Sequence, residues 1–332
     1  MRKYLIPHGK NAYKANLHAH TNISDGTLTP EGVKDLYKSN GYSVVAYTDH
    51  DLLIAHDELT DENFLALPGF EAQFNGNNNY PGVPYEKKCH ICFVGNSIQP
   101  CWNEEYAYLG NTKNYRSFVK FDKETSPYKR VYTPECINEM MSAARKLGFF
   151  ITYNHPAWSL ENAEQYLKYD GMHAIEIFNN NAEIAGFQTL APHVYDDLLR
   201  SGRKIFAVAT DDSHNVPGKE DAFGGFIMIM ADELTHSSIM QSLFRGDFYS
   251  STGPTFDDVY IEDGRLFVRC SEVSSIILST DSRKIQCINS GNGEALKAAE
   301  FTLNPDYRYF RITIKDFKGN YAYTNAFFTE DL

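Results

Sequence analysis

Three stretches of the chain repeat one order of positions: a polar cap, an amphipathic helix, a glycine stop and a short apolar strand. Thr29 and Pro30 open the first, Val33, Leu36 and Tyr37 mark an apolar face at helical spacing, and Gly41 ends it before a strand over 43–48. Thr133 and Pro134 restart the pattern with Ile137, Met140, Met141, Ala144 and Leu147, then Gly148 and a strand over 149–153. A third unit runs from about Ala191 through Leu199 to Gly202 and into a strand over 204–210. Helices alternating with apolar strands predict an α/β fold with a parallel sheet, and repeated units of this kind predict a barrel. Residues from about 74 to 130 break the pattern, being first rich in Asn, Gly, Pro and Tyr and then aromatic and basic. They read as a long insertion over the barrel mouth, with a strand around His90 inside it. After about Gly253 the helical spacing stops. An Asp263-Gly264 turn predicts a hairpin of 259–261 with 266–270, and 275–279, 284–288, 301–303, 309–315 and 321–328 read as further strands. The expected organisation is a barrel over 1–252 followed by a small all-β, sandwich-like domain over 253–332.

The polar residues fall where such a fold carries chemistry. Asp49-His50, His155 and Asp212-x-His214 each follow directly on the strand of their unit, the end at which α/β barrels hold their active sites. In His18-Ala19-His20 the two imidazoles share one face of an extended segment, because side chains at i and i+2 point the same way. Asp212-Ser213-His214 repeats that geometry and adds an oxygen donor. Glu71 stands among apolar residues in Pro68-Gly69-Phe70-Glu71, where an unpaired buried carboxylate is costly and calls for a cation. Asp25, before Gly26, reads equally well as a turn former. Imidazole and carboxylate donors without thiolate suit zinc, manganese or iron. Cys89-x-x-Cys92 lies in a strand-like run with no second cysteine pair nearby, which favours buried strand cysteines over metal thiolates. His8, His56, His173, His193 and His236 read as surface or structural residues.

Composition narrows the partners. Of 332 residues, 42% are hydrophobic and 14% aromatic, enough for a packed core. A net charge of −12 argues against binding a nucleic-acid polymer, yet leaves room for a phosphate-bearing small molecule, since bound cations reverse the local field. No run approaches the roughly 18–20 apolar residues of a membrane span, and the first residues hold no apolar core of a leader peptide. The expectation is a cytoplasmic protein without a membrane partner, compatible with assembly into a homo-oligomer.

Taken in order, His18-x-His20, Ser24-Asp25-Gly26, Thr48-Asp49-His50-Asp51, Pro68-Gly69-x-Glu71, His90, Asn154-His155-Pro156 and Asp212-x-His214 resemble the PHP (polymerase and histidinol phosphatase) family over about residues 14–250. Within it the chain looks most similar to the branch with a C-terminal β domain, sometimes called CehA-like. The resemblance implies a distorted (β/α)7 barrel holding two to three divalent metal ions. The first would take His18, His20, Glu71 and Asp212; the second would share Glu71 and add His90 and His155; the third would take Asp25, His50 and His214. It implies a phosphoesterase that attacks a small phosphate monoester or diester with a metal-bridged hydroxide, dependent on Glu71, Asp212 and His214. Asp49 reads as a partner that orients a histidine. Only the Asp-x-His spacing selects Asp212 over the neighbouring Asp211. Lys113, Arg116, Lys129 and Arg130 could meet an anionic group, and Trp158 or Tyr153 could stack on a ring, although such residues more often form a solvated or packed surface. Two other functions remain open. One is hydrolysis of a carbon ester, amide or carbamate by the same cluster; the other is a non-catalytic metal-bound domain that binds a ligand or partner, against which the complete ligand set argues.

Overall fold

The computed structural model describes residues 2–76, 87–100, 112–122, 130–291 and 293–332, without the side chain of Lys113. The three expected helices form for local reasons. Thr29 caps Pro30–Ser39 by accepting from the Gly32 N–H, and Val33 and Tyr37 are buried. Thr133 does the same for Pro134–Lys146 through the Cys136 N–H, burying Ile137, Met140, Met141 and Ala144. Pro192–Arg200 lacks a capping side chain and holds through Val194, Tyr195, Leu198 and Leu199.

The fold is mixed α/β around one large sheet. Its first part runs in the order Phe206–Thr210, Ala174–Asn179, Phe150–Tyr153, Lys88–Val94, Leu65–Asn75, Val44–Tyr47, Asn11–Asn16. Neighbours are parallel except at Lys88–Val94, which is antiparallel to the strand on either side. Beyond Asn16 the chain stays extended and meets the exit of Phe206–Thr210. The Asp212 N–H donates to the His18 carbonyl and the His20 N–H to the Ser213 carbonyl, both at 2.9 Å. Those bonds join the first strand of this run to the last. The connections depart from a strict strand–helix alternation: Val44–Tyr47 reaches Leu65–Asn75 through the single turn Asp57–Leu59, not a helix.

The expected insertion is corrected at its start. Leu65–Asn75 continues through 75, and Lys88–Val94 is a full member of the sheet, with Gln73 opposite His90. Leu65 through Phe74 is buried throughout, so this strand lies between two packed layers and shows no alternation in sequence. Thr112–Tyr115 and Arg116–Phe118 are single turns, and Gln99–Pro100 pairs with Phe121–Asp122. Lys129 and the Lys113 side chain lie outside the described residues. Cys89 and Cys92 are buried, free thiols. Burial pushes the Cys92 thiol up to about 11 and holds Cys89 protonated as well, so neither is a thiolate donor.

Past residue 253 the described chain is strands and turns. Phe256–Glu262 and Arg265–Val273 form the hairpin, turning at Asp263 and Gly264 with φ of 50° and 75°. The stretch 321–328 divides into Tyr321–Thr324 and Phe327–Phe328 at buried Asn325, whose amide donates to the Gly246 and Phe248 carbonyls. Val259, Leu266 and Val268 from one sheet pack with Ile276, Leu278, Ile312 and Ile314 from the other. A cut at 252–253 would cross two ladders, since Lys3–Tyr4 pairs with Phe256–Glu262 and Phe248–Ser251 with Tyr321–Thr324. No helix among the described residues is long and apolar enough to cross a membrane.

Candidate metal centre

The sheet register brings distant motifs side by side. The parallel bridge between Ala19 and Ser213 sets His18 and His20 against Asp212 and His214, with the intervening residues on the opposite face. A second bridge, His50 to Glu71, is closed by the Glu71 N–H to Asp49 and the Asp51 N–H to Glu71. The Asn154 N–H donates to the His90 carbonyl, which puts His155 beside His90. Asp25 is more than a turn former. Its loop folds back so tightly that a Cβ on Gly26 would stand 2.6 Å from the His20 carbonyl oxygen. The Asp25 carboxylate thereby comes within 3.7 Å of His20, 3.6 Å of His50 and 3.4 Å of His214. Both Asp212 and His155 have positive φ, 54° and 26°, a strained backbone at strand exits that turn their side chains inward.

Hydrogen bonds on the outside of the cluster fix which nitrogen faces in for five of the six rings, His50 being the exception. Nδ1 of His18 donates to Glu176 (2.7 Å), and Nδ1 of His214 to the Asp212 carbonyl (2.9 Å). Nε2 of His90 donates to Gln73 (3.0 Å), whose own amide is committed to Asn75. Nδ1 of His20 faces Ser24 and that of His155 faces Ser159, at 3.4 and 3.3 Å. A histidine that donates outward offers a lone pair inward, the arrangement of metal-ligating imidazoles. The inward atoms converge. Nε2 of His18 lies 3.2 Å from Glu71, Asp212 and His20 Nε2, and Nε2 of His20 lies 3.0 Å from Asp212. Glu71 is also 3.2 Å from His50, 3.1 Å from His90 and 3.3 Å from His155. Nδ1 of His50 and of His90 are buried without a hydrogen-bond partner, a cost that a cation would remove. The donor set fits divalent ions.

Three groups have donor atoms within 4.8 Å of one another: His18, His20, Glu71 and Asp212; His20, Asp25, His50 and His214; and His50, Glu71 and His90. His50 stands between two of them, with Nδ1 toward Glu71 and Nε2 toward Asp25. His155 lies outside these groups but within reach of Glu71. Asp211 is excluded from the cluster: its oxygens accept from the Tyr37 hydroxyl and the Phe223 and Gly225 N–H groups. Burial, opposed by those bonds, pushes its carboxyl up to about 6. Asp49 orients His20 indirectly, by accepting four hydrogen bonds from Thr21 and Ser24.

Sequence reasoning missed Glu176. This buried carboxylate holds His18 through one oxygen and the His155 N–H through the other, while Thr210 and Asn179 complete its bonds. Its signal was the one that singled out Glu71, a carboxylate in the apolar strand Ala174–Asn179. Arg130 does not face a substrate; it is buried against Asp51 and the Gln73 carbonyl. Tyr153 is buried with its hydroxyl on Glu161, so it cannot stack on a ligand. Trp158 stands against the rings of His90 and His155 at 5.0 and 4.9 Å. His8 pairs with Asp258, His56 packs on Tyr47, His173 binds Arg145 and His236 the Gly95 carbonyl, all away from the cluster.

Without metal, a proton on His214 supplies part of the positive charge that the carboxylates call for. Burial lowers the His214 pKa, but Asp25 and Asp212 outweigh it and raise the ring to about 9. A raised folded-state pKa gives stability that is present below the unfolded value near 6.5 and lost as pH rises through about 9. In chelator, the urea midpoint should therefore fall between pH 6.5 and 9. A flat midpoint over that window would contradict this electrostatic picture.

No family model and no curated protein matches the chain. Several solved structures are similar to it at low scores, three of them as follows. A two-domain protein from Bacteroides vulgatus containing a predicted PHP-like metal-dependent phosphoesterase has 14% identity and a TM-score of 0.45, covering 98% of each chain. A protein from Bifidobacterium adolescentis, provisionally named a metal-dependent phosphoesterase, has 15% identity and a TM-score of 0.39 over 63% of this chain and 90% of its own. An amidohydrolase from Chromobacterium violaceum, with sulfate and no metal bound, has 14% identity and a TM-score of 0.37 over 62% and 89%. At these scores they carry no argument, and the functional reading rests on the site.

Proposed function

We propose that the chain is a PHP-type metal-dependent hydrolase acting on a small phosphate monoester or diester. The observation that carries this reading is the convergence of donor atoms from six histidines, five of them oriented by a hydrogen bond from outside the cluster, on Asp25, Glu71 and Asp212. We take the joined run of strands as a distorted seven-stranded barrel of that family, with residues from 253 onward as its β appendage. Cations held here would supply Lewis acidity and activate water at neutral pH.

The chain's own groups do the rest. Glu71 belongs to two neighbouring donor groups and would link them, while Asp212 completes one of the two. The Asn154 amide fixes one Glu71 oxygen at 2.8 Å, and the Asn179 and Asn181 amides approach Asp212 at 3.3 and 3.4 Å. Trp158 walls the His90–His155 side. The cluster is most open at Asp25 and His214, whose side chains are 37% and 15% exposed, against 0–1% for His18, His20 and Glu71. His214 Nε2 and Asp25 thus face the incoming substrate.

Protein purified without chelator should carry two to three equivalents of zinc, manganese or iron by elemental analysis. It should release phosphate from aryl phosphate monoesters or diesters, and lose that activity to chelator. Metal without phosphate-ester turnover would refute the phosphoesterase reading and favour carbonyl hydrolysis or ligand binding. Failure to load metal would refute the site.

A further inference from the structure

We infer that Lys219 forms, with the Asn181 amide, an anion subsite at the open side of the cluster, which takes phosphate oxygens of the substrate. This rests on the phosphoesterase reading and deepens it. Lys219 is half-buried on the loop that returns from His214 to the sheet. That loop is built rather than loose. Asp221, itself buried, accepts the N–H groups of His214 and Asn215, and Asp211 accepts those of Phe223 and Gly225. The Lys219 N–H closes a turn on Val216. At the far end, a Cβ on Gly224 would overlap the Asn180 side chain, so the loop lies pressed on the segment that carries Asn181.

Within this frame the Lys219 ammonium donates to Asn181 Oδ1. The same amide points Nδ2 toward Asp212 Oδ2 at 3.4 Å. Among the described residues no carboxylate lies within ion-pair distance of Lys219. A cation without a counter-ion beside a site for divalent cations is electrostatically unfavourable until an anion arrives, and the loop that carries Lys219 is exposed at 216–218. An ammonium is a compact point charge with three donors, suited to non-bridging phosphate oxygens without demanding a bidentate geometry.

The test is calorimetric titration of inorganic phosphate into metal-loaded wild type, Lys219→Met and Lys219→Arg, with metal content and steady-state kinetics on an aryl phosphate for each. Loss of one charge-assisted hydrogen bond should weaken phosphate binding about tenfold in Lys219→Met and raise KM in step, with a smaller change in kcat. Lys219→Arg should recover most of the binding, and all three proteins should hold the same metal. Unchanged phosphate affinity in Lys219→Met, or loss of metal from it, would overturn the subsite and leave the phosphoesterase standing. Metal-loaded wild type that neither binds phosphate nor hydrolyses the ester would overturn the phosphoesterase reading itself.

Discussion

Glu71→Gln will lose bound metal and reduce phosphate-ester turnover by about a thousandfold or more, beyond the roughly 10–100-fold that removing an outer partner of a metal ligand brings. Glu71 is 1% exposed and lies within 3.5 Å of His18, His20, His50, His90 and His155. Gln keeps the volume and can still accept from Asn154, so the fold should survive while the charge is lost. Burial alone would raise the Glu71 carboxyl, but the imidazoles packed around it, His18 among them, hold it well below the usual carboxylate range. Elemental analysis and kcat/KM on an aryl phosphate would be read together with circular dichroism. A folded variant that keeps its metal and full activity would show that Glu71 is not part of the centre.

Arg130→Met will destabilise the protein by about 3–5 kcal/mol, the usual consequence of removing one partner of a buried ion pair. Arg130 and Asp51 are 8% and 3% exposed, and Asp51 has a positive φ of 61° one residue after His50. Removing the guanidinium leaves a buried carboxylate next to the metal centre, unpaired and unable to reach water. Asp51→Asn in the same chain removes that charge and should recover part of the loss. Urea unfolding of the single and double variants measures both effects. A single variant as stable as wild type would mean that the pair is solvated in solution.

The same two residues show what sequence can and cannot reveal. Asp51 is visible in a polar strand exit, and Arg130 in a basic stretch 79 residues later. Nothing local says that the two meet, so the arginine reads as one that could meet an anionic group or, more often, as part of a solvated or packed surface. Likewise Glu176 belongs with His18, 158 positions away, and only the closure of the sheet brings them together. The antiparallel entry of Lys88–Val94 is another such case, because a fully buried strand has no alternation to report its direction.

The local elements and the donors are encoded in short stretches of sequence. Thr-Pro caps and apolar stripes at helical spacing placed two of the helices, Asp-Gly placed the hairpin, and the i, i+2 pairs at 18–20 and 212–214 put their side chains on one face. These depend on interactions within a few residues, which a short pattern encodes. Tertiary structure decided the rest: Asp212 over Asp211, His50 between two donor groups, the outward partner of each imidazole, and the side on which the cluster opens. Each of those follows from the register of strands far apart in the chain, and register is fixed by how the buried faces pack together.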